Sequence, residues 1–320
     1  MIMEASETPK RVSFYSTNRC NLRCKYCFTE KYRRGDMQCP DVSMEVVDKA
    51  FEVFGGFDRV MLGSPGEPMM SRHFVEIVSN LVGRVERVNM TTNGTYIRRL
   101  QDDVPWKDVH KVVLTIHDIT PEGYRDVTGT NLYDEMIWAL DFLVKNDIGH
   151  TLNFVVDRNK IERIEEFIRF AAEHGAKEMA LLPLLNFKDF ERDEEFFWAN
   201  SLTLDDEDCV NRINEQRKLA RNAKQGHRLS VAFPRLVSRT NLGKGCRMVF
   251  DYIAINGRGD IAICCRGEGP RAELGNLRDG KALWTSPVLE EFRRKVLSPE
   301  ERFPKCRVCH ACYELGYVEQ

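Results

Sequence analysis

Three cysteines, Cys20, Cys24 and Cys27, form a CxxxCxxC pattern on one short segment near the N-terminus, with Tyr26 before the last of them. Iron–sulfur cubanes are commonly held by four thiolates, so a loop that supplies three leaves one iron open to another molecule. Structural zinc is the alternative, but it prefers a closed set of four ligands, which three local cysteines do not provide. The pattern therefore predicts a catalytic iron–sulfur centre.

A second group of cysteines crowds the last 75 of the 320 residues. Its members are Cys246, Cys264, Cys265, Cys306, Cys309 and Cys312. Eleven cysteines in a chain without a secretory signal indicate metal ligands rather than disulfides. The distribution predicts two metal centres, one near each end of the chain. For the second centre, a zinc ribbon built from the same thiolates stays open as an alternative.

The composition is that of a globular protein with one large domain or two unequal ones, since 42% of residues are hydrophobic and 30% are charged. A net charge of -2 gives no electrostatic reason to expect binding to nucleic acid or to an anionic membrane. No apolar run approaches the ~18 residues of a membrane-spanning helix, and the N-terminus lacks a signal-peptide pattern. We therefore expect a cytoplasmic protein.

Six strand-like runs, most followed by a stretch with helical periodicity, position the first cysteine group. They cover residues 12–17, 59–62, 88–92, 111–117, 151–156 and 179–184. The clearest helices follow Ser43 and span residues 160–174. This alternation predicts an α/β fold with a parallel sheet, either open or closed into a barrel. Both folds place their sites at the carboxyl ends of the strands, where the first cysteine group lies.

The remainder of the chain is predicted to form a connector and a small C-terminal domain. The connector carries a helix at about 204–224 and a strand at 229–233, and a hairpin follows at 252–255 and 261–263. We expect domains at residues 1–188, 189–237 and 238–320.

The cysteine loop resembles the signature of the radical S-adenosylmethionine (SAM) superfamily. The resemblance implies a partial (β/α)6 TIM barrel, in agreement with the six strands, and a [4Fe-4S] cluster whose open iron binds SAM. It further implies that the reduced cluster cleaves SAM to a 5'-deoxyadenosyl radical, which abstracts hydrogen from the substrate. An electron donor such as flavodoxin or ferredoxin is the partner that this chemistry implies.

Gly66-Glu67-Pro68, after the second strand, resembles the Gly-Gly-Glu-Pro segment of that superfamily, with Pro65 in place of the first glycine. Gly66 allows the backbone to approach a ligand closely. The Glu67 carboxylate is expected to accept a charge-assisted hydrogen bond from an ammonium group. Because Pro65 has no amide donor, any contact from that N–H is absent or replaced.

The resemblance adds further cofactor-binding candidates, namely Tyr26, Asn93, Thr115, Asn153 and Leu182. Among them, Thr115 stands where relatives often carry a serine that contacts the SAM carboxylate. Asn153 and Leu182 fall where ribose and adenine contacts are expected, although an ordinary strand position is the alternative for each. His117 and Asp118 end the fourth strand, and we interpret them as an exposed loop pair rather than a substrate-facing base.

The C-terminal cysteines resemble a SPASM or twitch domain, because Cys246 and a Gly259-x4-Cys264 segment precede the cysteine triplet. The resemblance implies one auxiliary [4Fe-4S] cluster. Its expected ligands are Cys246, Cys264, Cys306 and Cys309, with Cys312 as the competing ligand. Trp284 and Arg293 also resemble SPASM residues and are expected to pack the domain.

A fully ligated auxiliary cluster favours electron transfer, so we predict two-electron oxidation of a small polar, sugar-like or aminocyclitol-like substrate. The cysteine spacing is similar to that of 2-deoxy-scyllo-inosamine dehydrogenases. One alternative is a radical epimerase in which Cys265 donates hydrogen. Another is a maturase of ribosomal peptides, although about eleven residues precede the first strand and we expect no separate leader-binding domain. Cys39 and Cys209 are predicted to be inert buried thiols.

Overall fold

A computed structural model describes most of the chain. The described residues are 5–27, 29, 39–63, 65–184, 194–224, 226–241, 243–264, 273–313 and 316–317. The predicted hydrogen donor Cys265 lies outside them.

The strands of the described residues form one sheet. They are β1 Arg11–Tyr15, β2 Arg59–Gly63, β3 Arg87–Thr92, β4 Lys111–Ile116, β5 His150–Val156, β6 Glu178–Pro183, β7 Ser230–Phe233, β8 Tyr252–Ile255, β9 Asp260–Ala262, β10 Glu273–Asn276 and β11 Gly316–Tyr317. Their order across the sheet is β10-β9-β8-β1-β2-β3-β4-β5-β6-β7-β11.

Strands β1 to β6 pair with one another in sequence order, and every pair is parallel. The other neighbour of β1 is β8, and the other neighbour of β6 is β7. Within the described residues β1 and β6 therefore do not pair, and the sheet is not a closed barrel. The predicted α/β fold with a partial parallel barrel is confirmed.

The sheet continues beyond the six predicted strands on both sides. We interpreted residues 229–233 as part of a connector, but β7 adds to the sheet in parallel with β6. The first strand of the predicted C-terminal domain, β8, pairs in parallel with β1. Cys246 and Cys264 flank β8 and β9 and therefore lie near the amino end of β1, whereas the first cysteine loop follows its carboxyl end. The single sheet continues across both predicted domain boundaries, at residues 188/189 and 237/238. These boundaries stay predictions.

The helices lie between the strands and in the C-terminal region. They are α1 Met44–Phe54, α2 Phe74–Leu81, α3 Pro121–Thr128, α4 Tyr133–Lys145, α5 Ile164–Glu173, α6 Glu194–Asn200, α7 Glu207–Ala223, α8 Pro287–Leu297 and α9 Pro304–Arg307. Helix α1 begins after Ser43 and ends at Gly55, as predicted. The helix predicted at 160–174 is divided, because a 3-10 segment, Arg158–Arg163, starts at an Asp157 cap and precedes α5.

Alternation along β1 to β6 gives the sheet two different faces. One face is fully buried against helices, as shown by Phe154 of β5, which stacks on Phe167 of α5. We call the opposite face the inner face. Towards the carboxyl ends it carries Ser13, Tyr15, Met61, Gly63, Asn89, Thr91, Val113, Thr115, Asn153, Val155, Ala180 and Leu182.

The C-terminal region packs on the rest of the protein through two buried side chains. The Arg293 guanidinium lies 4.3 Å from the ring centroid of Trp284 and donates to the carbonyl of Val249. The indole N–H of Trp284 donates to the carbonyl of Ser6, 2.7 Å away. Both residues therefore pack the domain, as expected. No helix of the described residues is long and apolar enough to cross a membrane.

Candidate active site

The loop after β1 carries Cys20, Cys24 and Cys27, and all three thiols are half-buried. The backbone N–H groups of Arg23 and Lys25 donate to carbonyls at the C-terminal end of α3, at 2.8 and 3.0 Å. The backbone of Cys27 also donates to the carbonyl of Cys24. Backbone contacts to the C-terminal end of α3 therefore help to fix where the three thiols lie.

Each of the three thiols has a polar side chain beside it. The contacts pair Cys20 with Asn93 Nδ2 at 3.9 Å, Cys24 with the His117 ring at 3.9 Å and Cys27 with Thr29 Oγ1 at 3.1 Å. Asn93 follows β3 and His117 follows β4, so the partners come from the carboxyl ends of different strands. The carboxyl ends of β3 and β4 therefore lie at the cysteine loop, as the parallel sheet predicted.

Gly66 brings the loop after β2 against the cysteine loop. Its N–H donates to the carbonyl of Thr17 at 2.9 Å, and the N–H of Glu67 donates to the carbonyl of Arg19 at 2.8 Å. A Cβ atom on Gly66 would lie 2.2 Å from the Arg19 oxygen and 2.6 Å from the Thr17 oxygen. Glycine is required here because two backbones approach each other closely. The carbonyl of Pro65 accepts from Thr29, so this residue contributes an acceptor rather than a donor.

The Glu67 carboxylate is buried and accepts hydrogen bonds from three groups of the protein. Glu67 is 2% exposed, and its oxygens accept from the Thr92 hydroxyl at 2.7 Å and from the N–H of Asn93 at 2.8 Å and of Met69 at 3.3 Å. Burial raises the pKa of Glu67 to about 7, although the three hydrogen bonds oppose that shift. The described donors fill three of the roughly four acceptor positions of the carboxylate, and acceptance of a hydrogen bond from an ammonium group stays a prediction.

Asn93 connects the Thr92-Asn93-Gly94 turn to the cysteine loop. Its side-chain amide donates to Asn21 Oδ1 at 3.0 Å, and its carbonyl oxygen accepts from the Thr95 hydroxyl at 2.7 Å. Sequence reasoning placed Asn93 at the cofactor site through its strand-end position. The structure brings it to the loop that carries Cys20.

Three further predicted residues share the inner face. Thr115 of β4 lies directly opposite Asn153 of β5, and Leu182 of β6 lies opposite Val155 of β5. Thr115, Asn153 and Leu182 are all half-buried, whereas their sequence neighbours on the other face are fully buried. The structure therefore presents these three side chains together beside the strand ends.

Tyr26 has a buried hydroxyl group without a hydrogen-bond partner among the described residues. Its ring centroid lies 5.3 Å from Lys160 Nζ, and burial raises the pKa of the hydroxyl above its usual value. An unsatisfied buried hydroxyl is costly unless a ligand supplies the partner. Lys160, which follows β5, was not among the predicted residues because its position depends on contacts distant in sequence.

His117 and Asp118 do not form the exposed loop pair that we expected. Asp118 is 2% exposed and accepts from both terminal nitrogens of Arg163, at 2.6 and 3.1 Å. Burial alone would raise the pKa of Asp118, but the Arg163 hydrogen bonds outweigh it and keep that pKa below its usual value. Burial and the Lys160 charge lower the pKa of His117 to about 4, so its ring is neutral at pH 7.

The C-terminal thiols form a second group. Cys306, Cys309 and Cys312 are buried, and Cys246 and Cys264 are half-buried. Burial raises the pKa of Cys306 above its usual value, and the nearby thiols of Cys264, Cys309 and Cys246 raise it further. All five predicted ligands thus come together. Their arrangement does not show which four of the five thiols bind the auxiliary cluster.

Close backbone packing holds the Cys246 segment against the cysteine triplet. The N–H of Lys244 donates to the carbonyl of Cys312 at 3.0 Å. Gly243 has a φ of +65°, and a Cβ atom on it would lie 2.2 Å from that carbonyl oxygen. Burial raises the pKa of Cys306 and Cys312, and the positive charge of Arg302, which is 1% exposed, partly opposes that shift. A buried cation at this point favours thiolates.

The two remaining described cysteines lie elsewhere. Cys209 is fully buried in α7, as predicted for an inert thiol, and Cys39 is half-buried with a pKa raised by burial. Among the described residues, no three His, Cys, Asp or Glu side chains are grouped as for one metal ion. In a four-iron cubane, by contrast, each thiolate binds a different iron at its own corner.

Residues 14–193, more than half of the sequence, match the Radical SAM superfamily, and residues 246–313 match SPASM, an iron–sulfur cluster-binding domain. The chain belongs to the radical SAM superfamily. The predicted resemblance is confirmed, and both matches coincide with the two cysteine groups.

Two relatives by sequence are probable GTP 3',8-cyclases. That of Sulfolobus acidocaldarius is 30% identical over 171 residues, or 52% of this chain and 54% of the relative. That of Saccharolobus islandicus (strain Y.N.15.51 / Yellowstone #2) is 31% identical over 174 residues, with the same coverage. The chain therefore spans about half the length of these curated relatives.

Two solved structures share the fold over most of the chain. Streptococcus suis SuiB bound to its precursor peptide SuiA has a TM-score of 0.70 at 15% identity and covers 96% of this chain and 72% of SuiB. The enzyme anSMEcpe with bound AdoMet has a TM-score of 0.67 at 16% identity, covering 91% of this chain and 81% of its own. At these identities the likeness shows a common fold.

The cofactors of this radical SAM protein are therefore SAM, a SAM-binding [4Fe-4S] cluster and auxiliary iron–sulfur ligation in the SPASM domain. The residues present fit these groups. Cys20, Cys24 and Cys27 lie on one loop at the strand ends, which also carries Tyr26 with its buried hydroxyl, and Cys264, Cys309 and Cys246 lie near Cys306 in the C-terminal region. The individual ligand and SAM-contact assignments made from the sequence stay predictions.

Proposed function

We propose that this radical SAM protein oxidises a small polar substrate of the sugar or aminocyclitol class by two electrons. When bound, the reduced cluster and SAM supply the 5'-deoxyadenosyl radical that removes a hydrogen atom from a substrate carbon. We propose Cys20, Cys24 and Cys27 as the ligands of that cluster, and Cys246, Cys264, Cys306 and Cys309 as the ligands of one auxiliary cluster.

The observation that best supports two-electron oxidation is the second group of thiols, next to the same sheet. Cys246 and Cys264 flank β8 and its hairpin partner β9, and β8 pairs with β1, so these two thiols lie near Arg11 at the amino end of β1 while the first cysteine loop follows its carboxyl end. A redox centre attached to the neighbouring strand provides an acceptor for the electron that a substrate radical loses. The substrate radical also loses its O–H hydrogen to solvent as a proton. An alcohol therefore loses one hydrogen from carbon and one from oxygen in total.

The side chains of the inner face support a small polar substrate rather than a polyanion. Its carboxyl half, as defined above, carries serine, threonine and asparagine groups, and the charged residues Lys111 and Glu178 of the same face begin β4 and β6 and pair with each other. Hydroxyl and amide groups hydrogen-bond neutral polar ligands without a counter-ion. A nucleoside triphosphate, which the names of the sequence relatives suggest, calls for several cations instead.

A peptide substrate is the second candidate, because the SuiB structure contains a precursor peptide and an anSMEcpe structure contains the Cp18Cys peptide. The three substrate classes are separated by measuring how much each stimulates 5'-deoxyadenosine formation. We expect stimulation by aminocyclitols or sugars, and neither by GTP nor by peptides. Stimulation by a peptide alone would replace the proposed substrate class while leaving the radical chemistry intact.

The fate of the substrate radical separates oxidation from epimerisation. An oxidised product is two mass units lighter than the substrate and takes up no deuterium at the reacting carbon in deuterium oxide. An epimerised product formed in deuterium oxide carries one carbon-bound deuterium, delivered by an exchangeable thiol such as Cys265. If that deuterium appeared and Cys265→Ser abolished it, epimerisation would replace oxidation as the proposed reaction.

A further inference from the structure

Asn89 places a buried amide on the inner face, and its oxygen Oδ1 has no hydrogen-bond partner among the described residues. The residue is 8% exposed. Its sequence neighbours Val88 and Met90 are buried on the other face of β3, so the amide is directed to the inner face. An unsatisfied buried amide destabilises a protein, and a ligand that supplies the missing partner explains why the amide is retained.

The polar groups nearest to Asn89 on β4 and beyond are already occupied. Lys111 lies directly opposite Asn89 in the register, but its ammonium group donates to both oxygens of Glu178, at 2.9 and 2.6 Å. The same carboxylate accepts from the Thr151 hydroxyl at 2.8 Å. These three side chains bond with one another, and the Asn89 oxygen is not part of their network.

Asn89 belongs to a row of side chains that crosses three strands. Met61 of β2 lies between Asn89 of β3 and Ser13 of β1 in the register. We call Ser13, Met61 and Asn89 the mid-sheet row. Ser13 is 8% exposed and adds a hydroxyl group, and the backbones of Ser13 and Asn89 lie about 10 Å apart, twice the usual strand spacing. Thr91 donates its hydroxyl to the Met61 sulfur at 3.6 Å, which orients the thioether between them.

The space between the mid-sheet row and the cysteine loop is open on β2. Gly63 follows Met61 on the inner face, and a Cβ atom added to it would meet Thr91 at 3.7 Å, an ordinary contact distance. Asn89 is four residues before Asn93, which contacts Cys20, so the row lies about 13 Å from that contact along the strand. A molecule that enters at the strand ends can therefore reach the row below the proposed SAM site.

The Ser13 end of the row faces the second group of cysteines. Ser13 pairs with Ala254 of β8, and Ala254 pairs with Ala262 of β9. Both alanines have small side chains, and Ala262 is two residues before Cys264, a proposed ligand of the auxiliary cluster. A molecule bound to the mid-sheet row therefore lies between the cysteine loop and the auxiliary thiols. This is the position needed by a substrate whose radical passes an electron to the auxiliary cluster.

We propose that the mid-sheet row binds the substrate ring, with the Asn89 amide and the Ser13 hydroxyl hydrogen-bonded to polar substituents on its opposite edges. Met61 contacts the apolar face of the ring between them. An amide and a hydroxyl each supply a donor and an acceptor, so they match the hydroxyl and amino groups of a six-membered cyclitol or sugar ring. Rotation of the amide exchanges its oxygen and nitrogen, so either can face the ring. The inference rests on the proposed substrate class and names the residues that recognise it.

The test measures substrate recognition and stability in Asn89→Leu, which keeps the size of the side chain but removes the amide. The probes are 2-deoxy-scyllo-inosamine and myo-inositol, and the readout is the KM for their stimulation of 5'-deoxyadenosine formation by the reconstituted full chain. We expect KM to rise about tenfold in Asn89→Leu and about threefold in Ser13→Ala, from the loss of hydrogen bonds to the ring. The Tm of ligand-free Asn89→Leu should rise, because an apolar side chain replaces an unsatisfied amide.

The matched control is Asn80→Leu, because Asn80 is an exposed residue of α2 that accepts from Arg84, and its KM should equal that of the wild type. If the probes stimulated the wild type and KM were unchanged in Asn89→Leu, the proposed function would stand and the mid-sheet row would be refuted. A lower Tm in ligand-free Asn89→Leu would show that the amide is satisfied within the protein and would also overturn the proposal.

Ser13→Ala decides the proposal if Asn89→Leu does not fold, since an unchanged KM in Ser13→Ala would remove the hydroxyl from the site and refute the row. If neither probe stimulated a wild-type protein that holds iron and cleaves SAM, the proposed substrate class would be wrong. That result would overturn the mid-sheet row as a ring-binding site as well.

Discussion

Glu67 ties the loop after β2 to the turn after β3, and its replacement by glutamine tests how the SAM site is positioned. Glutamine keeps the size of the side chain but replaces one acceptor oxygen with an NH2 group, which only donates. The N–H of Asn93, which donates to Glu67 Oε2 at 2.8 Å, then loses its acceptor or competes for the remaining oxygen. Asn93 in turn contacts Cys20 and Asn21.

The free-energy cost of Glu67→Gln follows from the hydrogen bonds that the buried carboxylate accepts. Losing a hydrogen bond to a charged group costs about 1.5–3 kcal/mol. If the turn after β3 must be ordered to bind SAM, this cost weakens SAM binding more than tenfold, at about 1.4 kcal/mol for each factor of ten. The iron content should not change, because Glu67 is not a proposed ligand.

The pH dependence of stability provides an independent signature. Burial raises the Glu67 pKa from 4.5 to about 7, so the folded protein retains a proton that the unfolded chain has lost between these values. The stabilisation from Glu67 is therefore full below pH 4.5 and is lost as the pH rises to 7. Between pH 5.5 and 8 the wild type should lose ~2 kcal/mol relative to Glu67→Gln, from 1.36 kcal/mol per pKa unit.

Calorimetric titration with SAM and urea unfolding at several pH values measure both effects. Glu52→Gln is the matched control, because Glu52 is an exposed residue of α1 that pairs with Lys49. Unchanged SAM affinity in Glu67→Gln would remove the turn from the SAM site. Parallel stability profiles for wild type and Glu67→Gln would refute the raised pKa.

Two glycines give further predictions. Gly66→Ala places a methyl group 2.2 Å from the Arg19 oxygen and 2.6 Å from the Thr17 oxygen, so we expect lower SAM affinity and a lower Tm, checked by binding and thermal unfolding. Gly243→Ala adds a methyl group 2.2 Å from the Cys312 oxygen at a φ of +65° and should reduce iron content by about half while SAM still binds. Full iron content in Gly243→Ala would show that this packing is not needed for the auxiliary cluster.

The strands and the first cysteine site were predictable because their signals are local. Alternating β-branched and apolar residues placed all six barrel strands within one or two residues of their observed bounds. The spacing of Cys20, Cys24 and Cys27 depends on eight consecutive residues and needs no tertiary information. Positions after strands could then be assigned to one edge of the sheet.

Contacts between distant residues could not be predicted in the same way. Asp118 appeared to belong to an exposed loop, because its partner Arg163 is 45 residues away and no local pattern links the two. The direct neighbours Thr115 and Asn153 depend on strand register, which the sequence does not specify without knowledge of which strands pair. Strands β7 and β8 were likewise predicted as elements but not as members of the main sheet.

The central claim is that Cys20, Cys24 and Cys27 hold the cluster that cleaves SAM, and one comparison tests it most directly. Anaerobically reconstituted wild-type protein and a variant with all three cysteines changed to alanine are assayed for iron and for 5'-deoxyadenosine formed with SAM and a reductant. We expect about eight irons per wild-type chain, from two four-iron clusters. The variant should hold about half of that iron and form no 5'-deoxyadenosine. A variant that still cleaved SAM, or wild-type protein loaded with zinc in place of iron, would contradict the assignment.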